Sequence, residues 1–162
     1  MTDADNINTR RAWQVDLEFG YQVSTDRELL NVTAVTDFLA NDSYWAQGRP
    51  SETIAVSIAN SLCFGLYAPS GAQAGFTRVV GDAATFGWVC DVFVLPDHRG
   101  RGLGKAMMQA MLSHPDVTAT RRLMLATADA HELYRKYGFT ELLEPGRWME
   151  RRAPGFDLPP MS

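Results

Sequence analysis

The order of apolar segments between residues 62 and 127 limits the possible fold more than any other feature of this sequence. Three segments rich in β-branched and aromatic residues come first: LCFGLY (62–67), AGFTRVV (74–80) and FGWVCDVFVL (86–95). Turn residues separate them, so three antiparallel strands are the simplest arrangement. A helical pattern then begins at Gly102 and stops before Pro115, and RLMLAT (122–127) follows as another buried strand. Strand, helix and strand in this order form a crossover unit, which predicts that part of the sheet is parallel.

Two helices are predicted before these strands, after a first short strand at residues 20–24. Residues 28–39 carry apolar side chains at helical spacing. The second helix follows Pro50, where Ser51 is the predicted cap and Glu52 favours the positive helix end. Helices first, then antiparallel strands and a crossover, predict a mixed α/β (α+β) fold.

The segment after the crossover has the end signals of one more helix. Asp129 and Glu132 have the spacing of a capping box, and Gly138 stands where a left-handed terminal residue is expected. Residues 139–143 and 147–151, separated by Glu-Pro-Gly, then predict a hairpin.

Length and composition limit the number of domains and the kinds of partner that this protein can have. With 162 residues, of which 46% are hydrophobic, we expect one domain over residues 11–152, a disordered start at 1–10 and a loose tail at 153–162. A net charge of -4 argues against general nucleic-acid binding. Two cysteines in apolar runs and no secretory signal predict a reduced, cytoplasmic setting. No apolar run approaches the ~20 residues that cross a bilayer, so no membrane association is expected.

The stretch LPDHRGRGLGKAMM (95–108) joins a predicted strand to a predicted helix and has an unusual composition. Three glycines lower the propensity of this stretch to enter a helix, and its clustered cations repel one another, so the composition is unfavourable unless an anion binds there. A strand that ends just before a helix starting near Gly102 leaves backbone N–H groups without partners, at the positive end of the helix. Glycines allow close approach of phosphate oxygens, and Arg99, Arg101 and Lys105 add positive charge. The stretch therefore predicts a site for a phosphorylated ligand.

Two common phosphate-binding motifs do not match this turn. A nucleoside-triphosphate loop needs a glycine five positions before the Gly-Lys pair and Ser or Thr after it, but Arg99 and Ala106 occupy these positions. A dinucleotide fingerprint needs a third glycine, and in the two possible registers Lys105 or Met107 stands there.

Residues 99–104, Arg-Gly-Arg-Gly-Leu-Gly, resemble the R/Q-x-x-G-x-G/A signature of the GNAT superfamily of acyl-CoA-dependent N-acyltransferases. They follow an apolar strand that ends Val-Leu-Pro, and they precede Leu-Tyr-Arg-Lys-Tyr-Gly-Phe (133–139), which is similar to the family's L-Y-x-x-x-G-F segment. The resemblance covers residues 20–152 in element order, and residues 86–140 carry the motifs. It implies a mostly antiparallel central sheet with a parallel splayed pair, helices on both faces, acetyl-CoA as co-substrate and no metal.

The resemblance also implies which residues contact the co-substrate. The diphosphate would lie on the turn formed by Arg99, Gly100, Arg101, Gly102, Leu103, Gly104 and Lys105. Main-chain groups of Val92, Phe93 and Val94 would bind the pantetheine and the thioester, and a splay beside them would leave those groups unpaired. The N–H of Val92 would then stabilise the oxyanion. Thr127 stands where many members have an Asn that contacts the pantetheine, so this contact is either missing or made by the hydroxyl.

Two proton transfers have to be assigned. An aliphatic amine with a pKa near 10 must lose a proton before it attacks, and the departing thiolate must gain one. Tyr134 matches the family's usual general acid. Asp91, which stands alone in an apolar strand, is a candidate base or a group that steers a cationic amine; equally, it only accepts hydrogen bonds from a neighbouring loop. His98, His131 and water are further candidates for the base.

Family members build the acceptor pocket from the first two helices and their connection, which implies Tyr44, Trp45 and Arg49 here. Aromatic rings suit an amine and Arg suits a carboxylate, although Trp45 is equally able to anchor the loop to the core. We expect acetylation of a primary amine, of a small molecule rather than a peptide. A non-catalytic acyl-CoA-binding module is the main alternative, whereas RNA binding by the turn would lack a basic face. A homodimer is left open.

Overall fold

The structure, a computed structural model, describes residues 11–156. The predicted disordered start at 1–10 lies outside the described residues, as does the tail from 157 onward. The chain divides into two compact units, one up to Leu125 and one from Ala126 onward. The single domain expected over residues 11–152 stays a prediction.

The first unit holds the sheet and the helices packed on it. Its strands are β1 (Gln14–Asp16), β2 (Gln22–Ser24), β3 (Leu62–Tyr67), β4 (Gln73–Gly81), β5 (Gly87–Val94) and β6 (Leu123–Met124). Its α-helices are α1 (Val32–Asp37), α2 (Ser51–Ala59), α3 (Leu103–Ser113) and α4 (Pro115–Ala119), and a π-helical turn (Phe38–Asp42) follows α1. The second unit contains α5 (His131–Arg135) and a 3₁₀ turn (Pro145–Arg147). In the described part of the chain, no helix combines the length and hydropathy required to cross a bilayer.

The six strands form one sheet in chain order, and the predicted mixture of pairings is confirmed. Neighbouring strands are antiparallel from β1 to β5, and β6 alone pairs parallel, with β5. This last pairing is short: it joins Gly87 to Leu123 and Trp88 to Met124. The predicted strand at 122–127 is therefore reduced to two residues, and β5 continues well beyond its parallel partner.

Helices cover both faces of the sheet, as predicted. Cys63 on β3 belongs to a buried cluster with side chains of α1, the π-helical turn and α2. The next residue, Phe64, contacts the ring of His114, between α3 and α4, with ring centroids 5.4 Å apart. Because successive residues of a strand face opposite sides, these two contacts place helices on both sides. All six residues of β3 are buried, which is expected for a strand covered on both faces.

Two predicted starts of the early helices are wrong. The pattern at 28–39 is interrupted, because Asn31 accepts the N–H of Ala34 and caps a helix that begins only at Val32. Ser51 is not a cap but the first residue of α2: Pro50 holds the N-cap position and no side chain caps this helix. Pro50 has ψ of 144°, an extended value, so helical backbone angles begin at Ser51 and its hydroxyl comes one residue too late to cap the helix.

The second unit confirms one predicted helix end and corrects the rest. Gly138 has φ of 86°, and its N–H and that of Phe139 donate to Arg135 O and Tyr134 O, the paired bonds of a Schellman motif. The N-cap of α5 is Ala130 rather than Asp129, without a side-chain cap bond. Asp129 therefore stands one residue before the N-cap position that the capping-box pattern assigned to it.

The predicted hairpin at 139–143 and 147–151 is also wrong. Within the described residues after 138 no strand forms, and Glu-Pro-Gly leads into a 3₁₀ turn instead. Leu143 is 93% exposed and Met149 98% exposed. A two-stranded hairpin needs an apolar face packed against something, and these side chains pack against nothing in the unit.

Asp82 closes the hairpin that joins β4 to β5. Its Oδ1 accepts the N–H groups of Ala84, Thr85 and Phe86 at 2.9, 2.7 and 3.2 Å, and its Oδ2 accepts the Thr85 hydroxyl at 2.5 Å. The Thr85 hydroxyl and then these amides stabilise the carboxylate and hold the pKa of exposed Asp82 well below its usual range. The turn therefore positions the start of β5 through one ionised side chain.

We expect Asp82 to make the stability of the protein depend on pH. Its folded pKa is lowered, so its contribution is complete at neutral pH and is lost as pH falls below about 4 toward the folded value. Asp82→Ala should lower the Tm at neutral pH, and the difference in Tm between wild type and Asp82→Ala should become smaller in acid. Asp82→Asn keeps the Oδ1 acceptor but cannot titrate. Its Tm should therefore be higher than that of Asp82→Ala by the same margin at neutral and at acid pH. A wild-type advantage that does not change with pH in thermal unfolding would contradict this account.

Candidate active site

The turn that leads into α3 passes through two glycines in the left-handed region. Gly100 and Gly102 have φ of 77° and 72°, and Gly102 is the N-cap of α3 without a side-chain cap. A Cβ built on either glycine would meet no atom within 4 Å. The turn thus adopts a conformation that L side chains rarely adopt, and the space beside it is open.

The amides of this turn are available to a ligand. Arg99 N–H donates to Pro96 O at 3.2 Å, and Ala106 N–H donates to Gly102 O at 3.1 Å. Between them, the N–H groups of residues 100–104 form no hydrogen bond within the described part of the chain. Together with the partial positive charge of the helix end, such donors are suited to bind an anion. Unbonded amides are therefore found at residues 100–104 and not at Arg99, and the assignment of a diphosphate to them stays a prediction.

Two guanidinium groups are held against this turn by its own backbone. Arg99 Nε donates to Val94 O at 2.8 Å, and its guanidinium carbon lies 6.0 Å from the centroid of the Phe38 ring. Arg101 Nη1 donates to Asp97 O at 2.9 Å. Both side chains are exposed, so their positive charges lie at the surface beside the open amides.

Buried Tyr21, which comes much earlier in the chain, supports the turn through its hydroxyl group. The hydroxyl of Tyr21 lies 2.9 Å from His98 Nδ1 and accepts a hydrogen bond from Arg101 Nη1 at 3.3 Å. The rings of Tyr21 and His98 also meet edge to face, with centroids 5.7 Å apart. Sequence analysis missed Tyr21, because no local pattern links it to residues nearly eighty positions away.

A β-bulge interrupts β5 beside this turn. Between two register pairs, Phe76↔Phe93 and Arg78↔Cys90, β5 has one residue more than β4. Asp91 lies in the bulge with φ of 54°, a conformation that is uncommon for a residue with a side chain. The bulge also breaks the regular alternation of side chains along β5, so alternation no longer decides which side of the sheet Asp91 faces.

The bulge and the short β6 leave one edge of β5 open. Leu95 N–H donates to Ala74 O at 2.8 Å, so the main-chain groups of Leu95 and Phe93 face β4. Those of Val94 therefore face the other edge, where Val94 O accepts the bond from Arg99. Val92 has no register partner on β4 or on β6. The predicted splay is present: β6 does not extend along the edge to which the main-chain groups of Val94 point, whereas those of Phe93 face β4.

The carboxylate of Asp91 lies in a buried cluster rather than alone. Its Oδ2 accepts Arg78 Nε at 2.6 Å, Arg49 Nη1 lies 3.3 and 3.2 Å from its two oxygens, and Trp45 Nε1 donates to Oδ1 at 3.1 Å. Arg78 also donates to the Ser61 hydroxyl at 3.0 Å. The Asp91 side chain is 1% exposed, and that of Arg49 is 25% exposed. Four contacts occupy the hydrogen-bonding capacity of this carboxylate.

The cluster joins three residues that sequence analysis had proposed separately. Trp45 and Arg49 come from the loop before α2, and Asp91 comes from β5. The fourth member, Arg78, was missed. Its signal was available: an Arg in one apolar strand and an Asp in the next are opposite charges that a buried sheet must pair.

The loop of residues 43–50 presents aromatic side chains next to this cluster. Trp45 packs on Phe38 with ring centroids 6.3 Å apart, and Tyr44 meets Trp45 edge to face at 5.1 Å. Trp45 is half-buried, whereas Tyr44 is 49% exposed. Trp45 therefore anchors the loop to the core through its ring, while its N–H binds Asp91. Tyr44 remains a surface ring beside a cationic cluster.

The remaining predicted residues lie in the second unit. Tyr134 is half-buried on α5, meets the Phe139 ring edge to face at 6.0 Å, and its carbonyl takes part in the Schellman motif. The Thr127 hydroxyl accepts the N–H of Ala130 at 3.0 Å, just before α5. The L-Y-x-x-x-G-F segment is thus a short helix with a glycine stop, which holds the tyrosine ring against the phenylalanine. The roles assigned to Tyr134 and Thr127 stay predictions.

Comparison with known proteins gives a consistent result. Residues 59–141 match the model of the acetyltransferase (GNAT) domain. The chain is 34% identical over 138 residues to a protein of Gibberella zeae, covering 72% of this chain and 76% of the relative. It is 48% identical to a GNAT-family crystal structure from Xanthomonas campestris pv. campestris, with a TM-score of 0.79, covering 83% of this chain and 94% of that one. Both relatives bear the name "putative acetyltransferase".

A third similarity concerns the fold alone. Rv2747 from Mycobacterium tuberculosis, crystallised in complex with CoA, is 20% identical and has a TM-score of 0.60. The alignment covers 74% of this chain and 72% of that one. The fold described above is therefore shared with a structure that holds CoA.

The two glycines of the turn make a matched pair of variants. At Gly102 an added Cβ requires an L residue at φ of 72°, which costs about 1–2 kcal/mol, and the methyl group enters the open space beside the amides. At Gly104 the added Cβ makes an ordinary contact, 3.7 Å from Val94 Cγ2, and Ala favours the helix. We expect Gly102→Ala to lower the Tm and weaken CoA binding about tenfold or more, and Gly104→Ala to keep both. Calorimetry with CoA and thermal unfolding check this, and equal effects of the two variants would contradict it.

Tyr21 offers a test of how the turn is supported. Tyr21→Phe removes the hydroxyl that contacts His98 and Arg101 but keeps the buried ring. The bond to Arg101 is long, at 3.3 Å, so its loss should cost the value of an ordinary hydrogen bond, about 1 kcal/mol, and we expect CoA binding to weaken roughly fivefold. Tyr44→Phe is the control, because Tyr44 lies in the loop of residues 43–50, where its ring meets Trp45. Unchanged CoA affinity in Tyr21→Phe would show that the hydroxyl does not position the turn.

Proposed function

The chain belongs to the GNAT acetyltransferase family, and from this premise we propose that it transfers the acetyl group of acetyl-CoA to a primary amine of a small molecule. The open amides of residues 100–104 carry the proposal, because they provide a cradle for a phosphorylated co-substrate. A similar fold holds CoA in the Mycobacterium tuberculosis structure, which supports acyl-CoA as the ligand of this turn.

The turn fits a diphosphate in charge and in space. Amides contribute donors without adding net charge, while Arg99 and Arg101 place two guanidinium groups at the rim. The open space beside Gly100 and Gly102 allows phosphate oxygens to approach the backbone. We assign the diphosphate to these groups and to the exposed Lys105.

The open edge of β5 is the proposed location of the thioester. Val92 lies at the bulge without a register partner, so its N–H is a candidate donor to the charge that develops on the thioester oxygen. A preorganised donor of this kind contributes roughly 10²-fold in rate. The N–H of Val94 faces the same edge and is proposed to bind the pantetheine arm together with the Phe93 segment of the strand.

Acetyl transfer forms a carbon–nitrogen bond and breaks the carbon–sulfur bond of the thioester. The amine loses one proton, and the departing sulfur takes one up. We assign the second transfer to the hydroxyl of Tyr134, on the basis of its position in the L-Y-x-x-x-G-F segment. For Asp91 we propose a holding role: two guanidinium groups and an indole N–H occupy its oxygens, so a proton could be accepted only by breaking these bonds. Water is then the simplest acceptor of the amine proton.

A tyrosine pair in the second unit tests the proposal. Wild-type protein should release free thiol from acetyl-CoA with at least one primary amine, and mass spectrometry should find the acetylated amine. Tyr134→Phe should lower kcat about 10²-fold or more, because the departing sulfur loses its proton donor, and should change CoA affinity less than about twofold. Tyr137→Phe removes a hydroxyl three residues away and should keep kcat.

The outcomes separate the alternatives. CoA binding without turnover on a broad amine panel would favour a non-catalytic acyl-CoA-binding module. Equal kcat in the two tyrosine variants would remove the assignment of Tyr134 while leaving acetyl transfer in place.

A further inference from the structure

The buried cluster around Asp91 carries more positive than negative charge. Arg78 and Arg49 both pair with the one carboxylate of Asp91. Two guanidinium groups are always charged at neutral pH, so the cluster has an excess of one positive charge. A charge held in a partly buried place is expected to be paired, and one partner is missing from this set.

Neighbouring thiols do not compensate this excess. Cys90 lies beside the cluster, and burial raises the pKa of its thiol to about 11, against the opposing effect of Arg78. Burial likewise raises the pKa of Cys63 to about 11. Both groups are therefore neutral at physiological pH. The charged side chains that act on Cys90 are Arg78, Asp91 and Arg49, and Asp91 is the one carboxylate among them.

Arg49 is the member of the cluster that a ligand can reach. Its side chain is 25% exposed, compared with 11% for Arg78 and 1% for Asp91. Only Nη1 of Arg49 is used in the contacts with Asp91, and no bond of its Nε or Nη2 is found among residues 11–156. The planar guanidinium is thus held on one side by Asp91 while donors on the other side remain available.

The position of Arg49 relates it to the reacting atoms. Asp91, which holds it, directly precedes Val92, the proposed oxyanion donor, so their Cα atoms are about 3.8 Å apart. The exposed ring of Tyr44 lies in the same loop, next to Trp45. An acceptor whose amine reaches the thioester at Val92 therefore lies near a fixed guanidinium.

We propose that the acceptor is an amine that also bears a carboxylate, and that this carboxylate binds Arg49. A carboxylate matches the fork of Arg donors in two parallel bonds and supplies the missing negative charge. The excess positive charge disfavours a diamine, because a second ammonium group would be repelled. This inference rests on the proposed acetyl transfer, and it names the substrate class of that same site.

Matched acceptors test the inference in the wild-type protein. The panel contains amino acids of several chain lengths, their primary amides, their decarboxylated amines and aminoalkyl phosphates. We expect kcat/KM for the best amino acid to exceed that for its amide by about 10- to 100-fold, mainly through KM. Straight-chain carboxylic acids without an amine should compete with the acceptor, and their amides should not. This second measurement needs no variant.

Variants of Arg49 test whether this residue is responsible for the preference for a carboxylate over an amide. Arg49→Gln should reduce the ratio of kcat/KM between amino acid and amide to near one, and Arg49→Lys should keep part of it. Arg121→Gln, an exposed Arg in the same unit, is the matched control and should keep the full ratio. Thermal unfolding and CoA calorimetry establish that each variant is folded.

Each outcome decides a separate point. Amides or diamines used as well as amino acids would overturn the inference and leave acetyl transfer intact. Preference for aminoalkyl phosphates would overturn the carboxylate assignment. If Arg49→Gln kept the full ratio of kcat/KM between amino acid and amide, a residue other than Arg49 would recognise the carboxylate. Absence of thiol release with every amine would overturn the proposed function together with the inference.

Discussion

The hydrogen bonds to the carboxylate of Asp91 are the interaction on which the geometry of the site depends. A residue with a side chain at φ of 54° carries strain of about 1–3 kcal/mol, which persists only when its surroundings hold it in place. Arg78 on β4 and the loop that contains Trp45 and Arg49 do so from two sides. Removing this carboxylate would leave buried guanidinium groups unpaired, at a cost of about 3–5 kcal/mol. The bulge beside Val92 and the position of the loop of residues 43–50 therefore depend on one side chain.

The anion site follows a different principle, since its donors are mainly uncharged. The protein has a net charge of -4, so a general basic surface would not attract the proposed diphosphate. Open amides at a helix N-terminus act over a few ångströms, where the ligand is already in contact. Arg99 and Arg101 add charge there, and bonds to Val94 O and Asp97 O limit the conformational freedom that binding would otherwise have to remove.

Sequence patterns predicted those parts of the fold that depend on local or repeated signals. The three antiparallel strands, the crossover, the turn before α3 and the left-handed Gly138 are each encoded within a few residues. Two of the wrong predictions concern neighbouring residues: Pro50 rather than Ser51 stands at the N-cap position of α2, and Ala130 rather than Asp129 at that of α5. The bulge at Asp91 and the contact of Tyr21 with His98 arise from long-range packing, so no local pattern could predict them.

The charge of the cluster around Asp91 also bears on how the amine becomes reactive. A positive charge near a titratable amine favours its neutral form, because the ammonium form is repelled. The sequence made Asp91 a candidate for the base that takes a proton from the amine before attack, yet Arg49, Arg78 and Trp45 occupy its oxygens. The acceptor carboxylate proposed above would bind Arg49 and neutralise this excess charge, so the cluster would not at the same time lower the pKa of the bound amine. Water therefore remains the proposed acceptor of the amine proton.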